Sequence, residues 1–206
     1  MPAGTLRARA RASRSELRAL ASLRVLPARV ALFWWRARRH ARRSDDRFSL
    51  DSAARPAELA ELLSLARGCT AVVELGSGTC WSTIALALED RGRSVISYDP
   101  TVRSAREAYL DLAGRGLRER IELRAQPDSD GPRPGDHPVQ LLFIDSSHER
   151  QSVLGAFAAW RAALQPGALV VFHDYRHPQY PGVREAVLEL ELRGRERHGL
   201  FVWQAP

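Results

Sequence analysis

The 206-residue sequence contains no lysine; all 31 of its basic residues are arginine. That absence removes Schiff-base chemistry, a phosphate-loop lysine and a lysine general base from consideration. Cysteine is scarce as well. Cys69 and Cys80 are too few for a metal-binding cluster or a disulfide framework, and a reducing cytoplasm is the expected compartment. Long apolar runs are missing too: the stretch Val25 to Trp35 is broken by Pro27 and Arg29 and falls short of the ~20 residues a bilayer-spanning helix needs. Nothing at the start reads as a secretory signal. Acids are nearly absent from the first 47 positions, where Glu16, Asp45 and Asp46 face 13 arginines for a net +10, while residues 48–206 carry −3. The basicity therefore belongs to the N-terminal segment, a surface expected to attract anions.

An apolar fraction of 45% is ordinary for a globular chain, and the length suits one α/β domain with an appendage. The expected division is an arginine-rich helical arm over residues 1–47 and a catalytic domain over 48–206. In the arm, Pro27 separates helices expected over 4–24 and 28–43. The second has a helical apolar stripe of Val30, Phe33, Trp34, Ala37 and Ala41, with arginine around the rest. With Phe33, Trp34 and Trp35 at hand, residues 28–43 suit an anionic membrane surface, which would make the protein peripheral there. The plainer counterpart is a helical lid or a contact in a homo-oligomer, its arginine face merely solvated. Nucleic acid is the weaker partner, because stacking aromatics would be spread among the bases rather than clustered.

From Pro56 onward, apolar runs alternate with helical stretches. Strands are expected near 70–75, 94–98, 120–124, 139–145 and 168–173, and helices over 56–67, 80–91, 102–115, 150–163 and 182–194. Leu200 to Gln204 reads as a last edge or antiparallel strand, and 127–138 as a loop. This is the pattern of an α/β fold with a Rossmann-like, doubly wound, mostly parallel sheet.

The segment VVELGSGTCWS, residues 72–82, ends the first strand in a glycine turn that opens a helix. A dinucleotide turn wants GxGxxG, and here Trp81 stands where the third glycine would allow close helix packing, which weakens an NAD-dependent oxidoreductase. Glu74 supplies a carboxylate at the strand end suited to a cationic amino-acid ligand. Asp99 ends the next strand, 23 positions after Gly76, where an acid meets ribose hydroxyls. These residues resemble the ExGxGxG motif of class I S-adenosylmethionine-dependent methyltransferases, with Cys80 in place of the last glycine. The resemblance implies a cofactor site at Glu74, Gly76, Ser77, Gly78 and Asp99.

The fourth and fifth strands end in QLLFIDSSHE and ALVVFHDY, bringing polar side chains to the carboxyl edge of the sheet, where open α/β sheets bind ligands. Asp145, His173 and Asp174 could gather there as ligands of a divalent ion, or as a hydrogen-bonded cluster without metal. The FID segment with His148, the helix carrying Trp160, the turn at Pro166 and Gly167, the HDY segment and PGVREAV at 181–187 resemble the macrocin O-methyltransferase-like group over roughly residues 48–190. That group is related to catechol O-methyltransferases, in which the corresponding places hold Mg²⁺ and a lysine base. The resemblance implies metal ligands at Asp145, His173 and Asp174, with a histidine where an acid is usual, and catalytic roles for His148 as base and Asp145. The implied reaction is methylation of a small-molecule hydroxyl of natural-product or sugar-like character. DSSH is not the D/N-P-P-Y/F segment of enzymes that methylate base amino groups. A non-catalytic nucleoside-binding protein at a membrane is the remaining competing class.

Overall fold

The computed structural model describes residues 21–134, 136 and 138–206. The helix expected over 4–24 therefore falls almost wholly outside the described residues. Among the described residues, seven strands form one sheet: β1 (Ala71–Leu75), β2 (Ser94–Tyr98), β3 (Ile121–Arg124), β4 (Val139–Ile144), β5 (Leu164–Phe172), β6 (Arg195–Arg197) and β7 (Leu200–Gln204). Their order is β3-β2-β1-β4-β5-β7-β6; the first five are mutually parallel, and β7 runs antiparallel to both β5 and β6. The doubly wound sheet is as expected, and Leu200–Gln204 is the antiparallel strand. The chain order reverses at β1 and β4, so their carboxyl ends diverge into the crevice where such folds bind ligands.

Around the sheet lie α1 (Ala28–Arg43), α2 (Arg47–Ser52), α3 (Pro56–Leu65), α4 (Trp81–Glu89), α5 (Ala105–Ala113), α6 (Arg150–Trp160) and α7 (Pro181–Glu189). Neither the short α2 nor the short β6 was legible as an element. A six-residue helix is under two turns and shows no periodicity, and Arg195–Arg197 is almost wholly polar. The last major helix ends at Glu189 rather than 194, because Glu191 adopts a left-handed φ of 51°.

Alternation along the strands sends Val72, Leu141, Phe143 and Val171 to one face of the sheet and Val73, Leu142, Ile144 and Phe172 to the other. The first face is covered by α4 together with α1. The stripe read from the sequence, Val30, Phe33, Trp34, Ala37 and Ala41, is buried as a whole. Phe33 and Trp34 meet the edge of Trp81 at 6.4 and 5.9 Å between ring centres, and Trp81 meets Tyr109 at 5.3 Å. The side chain that spoils a dinucleotide turn thus anchors the N-terminal helix on the domain.

This packing corrects the reading of Phe33, Trp34 and Trp35 as one membrane-inserting group. Phe33 and Trp34 are 3% and 5% exposed inside the core, whereas Trp35 on the opposite face is 39% exposed. Successive helix positions are about 100° apart, so three adjacent aromatics cannot share a face. The described part of the arm contributes to the same core as the domain that follows residue 47. Among the described residues no helix is long and apolar enough to cross a membrane.

Candidate active site

A cleft of about 1150 Å³ runs along the carboxyl edge of the sheet and is lined by the glycine turn, Asp99, Asp145, His148, His173, Asp174 and parts of α1 and α2. That is larger than most single-ligand pockets and gives space for two molecules side by side.

At one end lies the turn after β1. Gly76 donates its N–H to Tyr98 O at 2.7 Å with φ +97°, and a Cβ there would lie 2.2 Å from Asp145 O. No side chain fits where the β1 turn crosses the end of β4. Gly78 has φ +50°, and Cys80, standing in for the motif's last glycine, adopts the same left-handed region at φ +69°. Asp99 lines the cleft with its oxygens directed back to the turn: Oδ2 accepts from Gly78 N at 2.9 Å, and Oδ1 accepts from Thr101 N at 2.7 Å. Arg106, a buried residue that no motif revealed, lies 2.8 Å from Asp99 Oδ2 and donates through Nε to Gly78 O at 2.9 Å. Asp99 therefore both shapes the turn and presents a carboxylate beside it.

Glu74 and Ser77 are placed differently from the sequence expectation. Glu74 is wholly buried and does not line the cleft. Its carboxylate accepts hydrogen bonds from the hydroxyls of Ser82, Thr83 and Ser97. Burial pushes its pKa up to about 7, against the opposing effect of the three hydroxyls and with Asp145 adding to the rise. The second position before Gly76 lies within the strand, facing the starting helix α4, so this acid braces the turn from beneath instead of meeting a ligand. Ser77 lines the cleft but bonds Ser97 Oγ at 2.7 Å behind it.

A further tie fixes α2 over the turn. Ser49 Oγ bonds Asp46 Oδ2 at 2.6 Å and Thr79 Oγ1 at 2.8 Å, and Tyr109 donates to Asp46 Oδ2 at 2.7 Å. Asp46 also caps α2 by accepting Ser49 N at 3.0 Å. The cap could have been read from the sequence; the bond from Ser49 to Thr79, 30 residues away, could not.

At the other end, the expected acids and histidines do converge. His173 Nδ1 lies 2.9 Å from Asp145 Oδ1 and 3.3 Å from Asp174 Oδ2, and its Nε2 lies 3.5 Å from Glu58 Oε2 on α3. Neither ring nitrogen is in line for a hydrogen bond, so these contacts are electrostatic. Burial opposes charge on His173, but Asp145, Asp174 and Glu58 outweigh it and hold its pKa well above the ordinary histidine value. Glu58 was not singled out in the sequence. It is the third residue of α3 and accepts from Arg55 N at 2.7 Å.

His148 faces the same cluster with Nε2 3.0 Å from Asp174 Oδ2. Its ring stacks on Tyr180 at 4.0 Å, and Tyr180 stacks in turn on His177 at 4.5 Å. Gly182, at the start of α7, sits where a Cβ would lie 2.5 Å from His148 O, so α7 abuts the His148 loop. Asp174 has a left-handed φ of 54°, a strained setting of the kind found at functional sites. Burial raises its carboxyl, but the hydrogen bond to His148 and the charge of His173 beside it prevail and leave it well below the usual carboxylate range.

Asp145, His148 and Asp174 can each bring a ligand atom within 4.8 Å of the others. This group takes in His148 where the sequence reading had His173, whose Nδ1 faces Asp145 and whose Nε2 faces Glu58. Two carboxylates and an imidazole fit a divalent transition ion better than the all-oxygen shell that Mg²⁺ favours.

The switch-point cleft, the glycine turn and the acid ending β2 define a nucleoside-binding site on a Rossmann-like sheet. Residues 73–175, half of the chain, match a family described as a methyltransferase domain, and the chain belongs to that family. No curated protein matches it in sequence. Among solved structures it is similar to the Bacillus cereus O-methyltransferase in complex with SAH, at 15% identity, with 87% of this chain and 91% of that one covered and a TM-score of 0.66. It is also similar to the Streptomyces achromogenes O-methyltransferase of tomaymycin synthesis in complex with SAM, at 18% identity, with the same coverage and a TM-score of 0.61. A TDP-rhamnose 3'-O-methyltransferase of calicheamicin biosynthesis aligns at 17% identity over 71% of this chain and 77% of its own, with a TM-score of 0.58. At these identities the likeness speaks to the fold.

Proposed function

We propose that the protein transfers the methyl group of S-adenosylmethionine to a hydroxyl oxygen of a small molecule, with His148 as the proton acceptor. The observation that carries this reading is the His148–Asp174 pair, 3.0 Å apart, in the same cleft as the Gly76–Gly78 turn and Asp99. In the neutral tautomer with Nε2–H donating to Asp174, Nδ1 keeps a lone pair for the proton. Asp174, held ionised, stabilises the imidazolium that forms. The acceptor oxygen attacks the methyl carbon, the C–S bond breaks, the proton passes to His148, and S-adenosylhomocysteine leaves as a neutral thioether. The TDP-rhamnose named for one structural relative and the tomaymycin synthesis named for another support a hydroxyl of natural-product or sugar-like character, in keeping with the macrocin-like sequence pattern.

A divalent ion held by Asp145, His148 and Asp174 would acidify a coordinated hydroxyl and orient it. Base and ligand are competing roles for the one imidazole of His148. Methyl transfer is followed as S-adenosylhomocysteine release from labelled cofactor over a panel of hydroxyl compounds. His148→Ala is expected to lower kcat by about 10²–10⁴-fold with cofactor affinity intact; unchanged turnover would overturn the assignment. Excess chelator is expected to leave turnover within about twofold. Loss of activity restored by Mn²⁺ would move His148 from base to ligand.

For the arm, the surface that would meet an anionic membrane is the outer face of α1 with the residues just before it. Val25, Leu32 and Trp35 are exposed there among Arg29, Arg36 and Arg39, and α1 carries no acid. Sedimentation with acidic vesicles should weaken in Trp35→Ser and not in Phe33→Leu.

A further inference from the structure

Among the described residues, three arginines line the cleft: Arg38, Arg55 and Arg103. Arg55 has an acid partner, with Nε 3.7 Å from Glu58. Other inward-facing arginines are matched as well: Arg106 to Asp99, Arg124 to Asp136, and Arg93 to Glu89 and three backbone carbonyls. Arg38 and Arg103 are not. Each is half-buried with a buried Nε that has no hydrogen-bond partner, and neither has an acidic partner among the described residues.

Aromatic rings hold them instead. The guanidinium carbon of Arg38 lies 5.1 Å over Trp34, and that of Arg103 lies 3.5 Å over Phe48. An aromatic shelf strips water from one face of the guanidinium, orients its plane and leaves the N–H edges open for bidentate contact with an oxyanion. Phe48 also borders the cofactor turn, its ring 3.5 Å from where a Cβ on Gly78 would stand. These residues come from α1, α2 and the loop after Asp99, elements other than those that supply Glu58, Asp145 and Asp174. Burial, followed by repulsion from Arg42, lowers the Arg38 pKa, as befits a guanidinium without a counter-ion.

We infer that Arg38 and Arg103, on their Trp34 and Phe48 shelves, form an oxyanion subsite that takes a carboxylate or phosphate of a molecule bound in the cleft. The inference deepens the methyl-transfer reading and rests on it for which molecule carries the anion: the amino-acid end of the cofactor or an anionic acceptor. A half-buried charge without a partner is costly, and a complementary ligand removes that cost.

The test uses the full chain with Arg38→Gln, Arg103→Gln and the double variant, titrated calorimetrically at physiological salt. If the cofactor supplies the anion, the double variant loses at least tenfold affinity for S-adenosylhomocysteine while keeping that for 5′-methylthioadenosine, which lacks the carboxylate. If the acceptor supplies it, S-adenosylhomocysteine binds as before, and inorganic pyrophosphate binds the wild type but at least tenfold less tightly the double variant. Arg39→Gln, an exposed charge on the same helix, should change neither, and the double variant should melt no lower than wild type, since it removes unpaired charges. Unchanged affinity for both S-adenosylhomocysteine and pyrophosphate in the double variant would overturn the subsite, as would an equal loss in Arg39→Gln. Failure of the wild type to bind S-adenosylhomocysteine at all would count against the methyl-transfer reading instead, leaving the pyrophosphate titration to judge the subsite.

Discussion

The two ends of the cleft are built by different means. At the cofactor end the backbone dominates: Gly76 turns where a side chain would collide, Gly78 takes a left-handed φ, and Glu74, Ser77 and Asp99 spend oxygens on bracing the turn. At the reaction end side chains dominate: three carboxylates and two histidines from α3, the ends of β4 and β5 and the loop after β4 crowd together, and one buried histidine makes no aligned hydrogen bond. The first end has its polar groups matched within the protein. The second holds charge in a low-dielectric setting, where it is able to act on a substrate. Structural substitutions should therefore damage the first end most, and chemical ones the second.

The largest effect is expected from Gly76→Ala. Its methyl would lie inside contact distance of the Asp145 carbonyl, so the variant should lose S-adenosylhomocysteine binding by more than about 100-fold or fail to fold. Circular dichroism with calorimetric titration separates the two outcomes, and near-normal binding would show that the two strand ends are not locked together. His148→Ala should do the opposite, cutting turnover by the ~10²–10⁴-fold expected of a lost base while binding survives.

Trp81→Ala comes next, at about 3–5 kcal/mol in urea denaturation, because it removes the ring against which Phe33, Trp34 and Tyr109 pack. A cost below about 1 kcal/mol would mean that α1 is held on the domain by something other than this aromatic cluster.

The smallest effect concerns Glu74. Its folded pKa of about 7 lies above the ordinary 4.5, so the folded state keeps the proton after the unfolded state has lost it. The associated stability is fully present below about pH 4.5, declines as pH rises towards 7 and is gone above it. Glu74→Gln, neutral at every pH, should abolish that decline, a difference of roughly 1–3 kcal/mol between wild type and variant. Parallel stability curves for the two proteins from pH 4 to 8 would place the carboxylate in contact with water after all.

Local chemistry made much of this protein legible in its sequence. Strand and helix alternation, the apolar stripe from Val30 to Ala41, the glycine turn and Asp99 each depend on neighbours within one element or one βα unit, where periodicity and spacing carry the information. The sheet edge on which Asp145, His148, His173 and Asp174 meet also followed, because polar residues ending parallel strands must share an edge. Only the tertiary structure decided what each side chain faces. It put Glu74 beneath the turn, brought Glu58 from α3 to His173, drew His148 rather than His173 into the group of possible metal ligands, and buried Trp34 against Trp81. It also left Arg38 and Arg103 on aromatic shelves without acids. The physical reason is that burial and pairing depend on contacts between residues tens of positions apart, and spacing along the chain does not encode them.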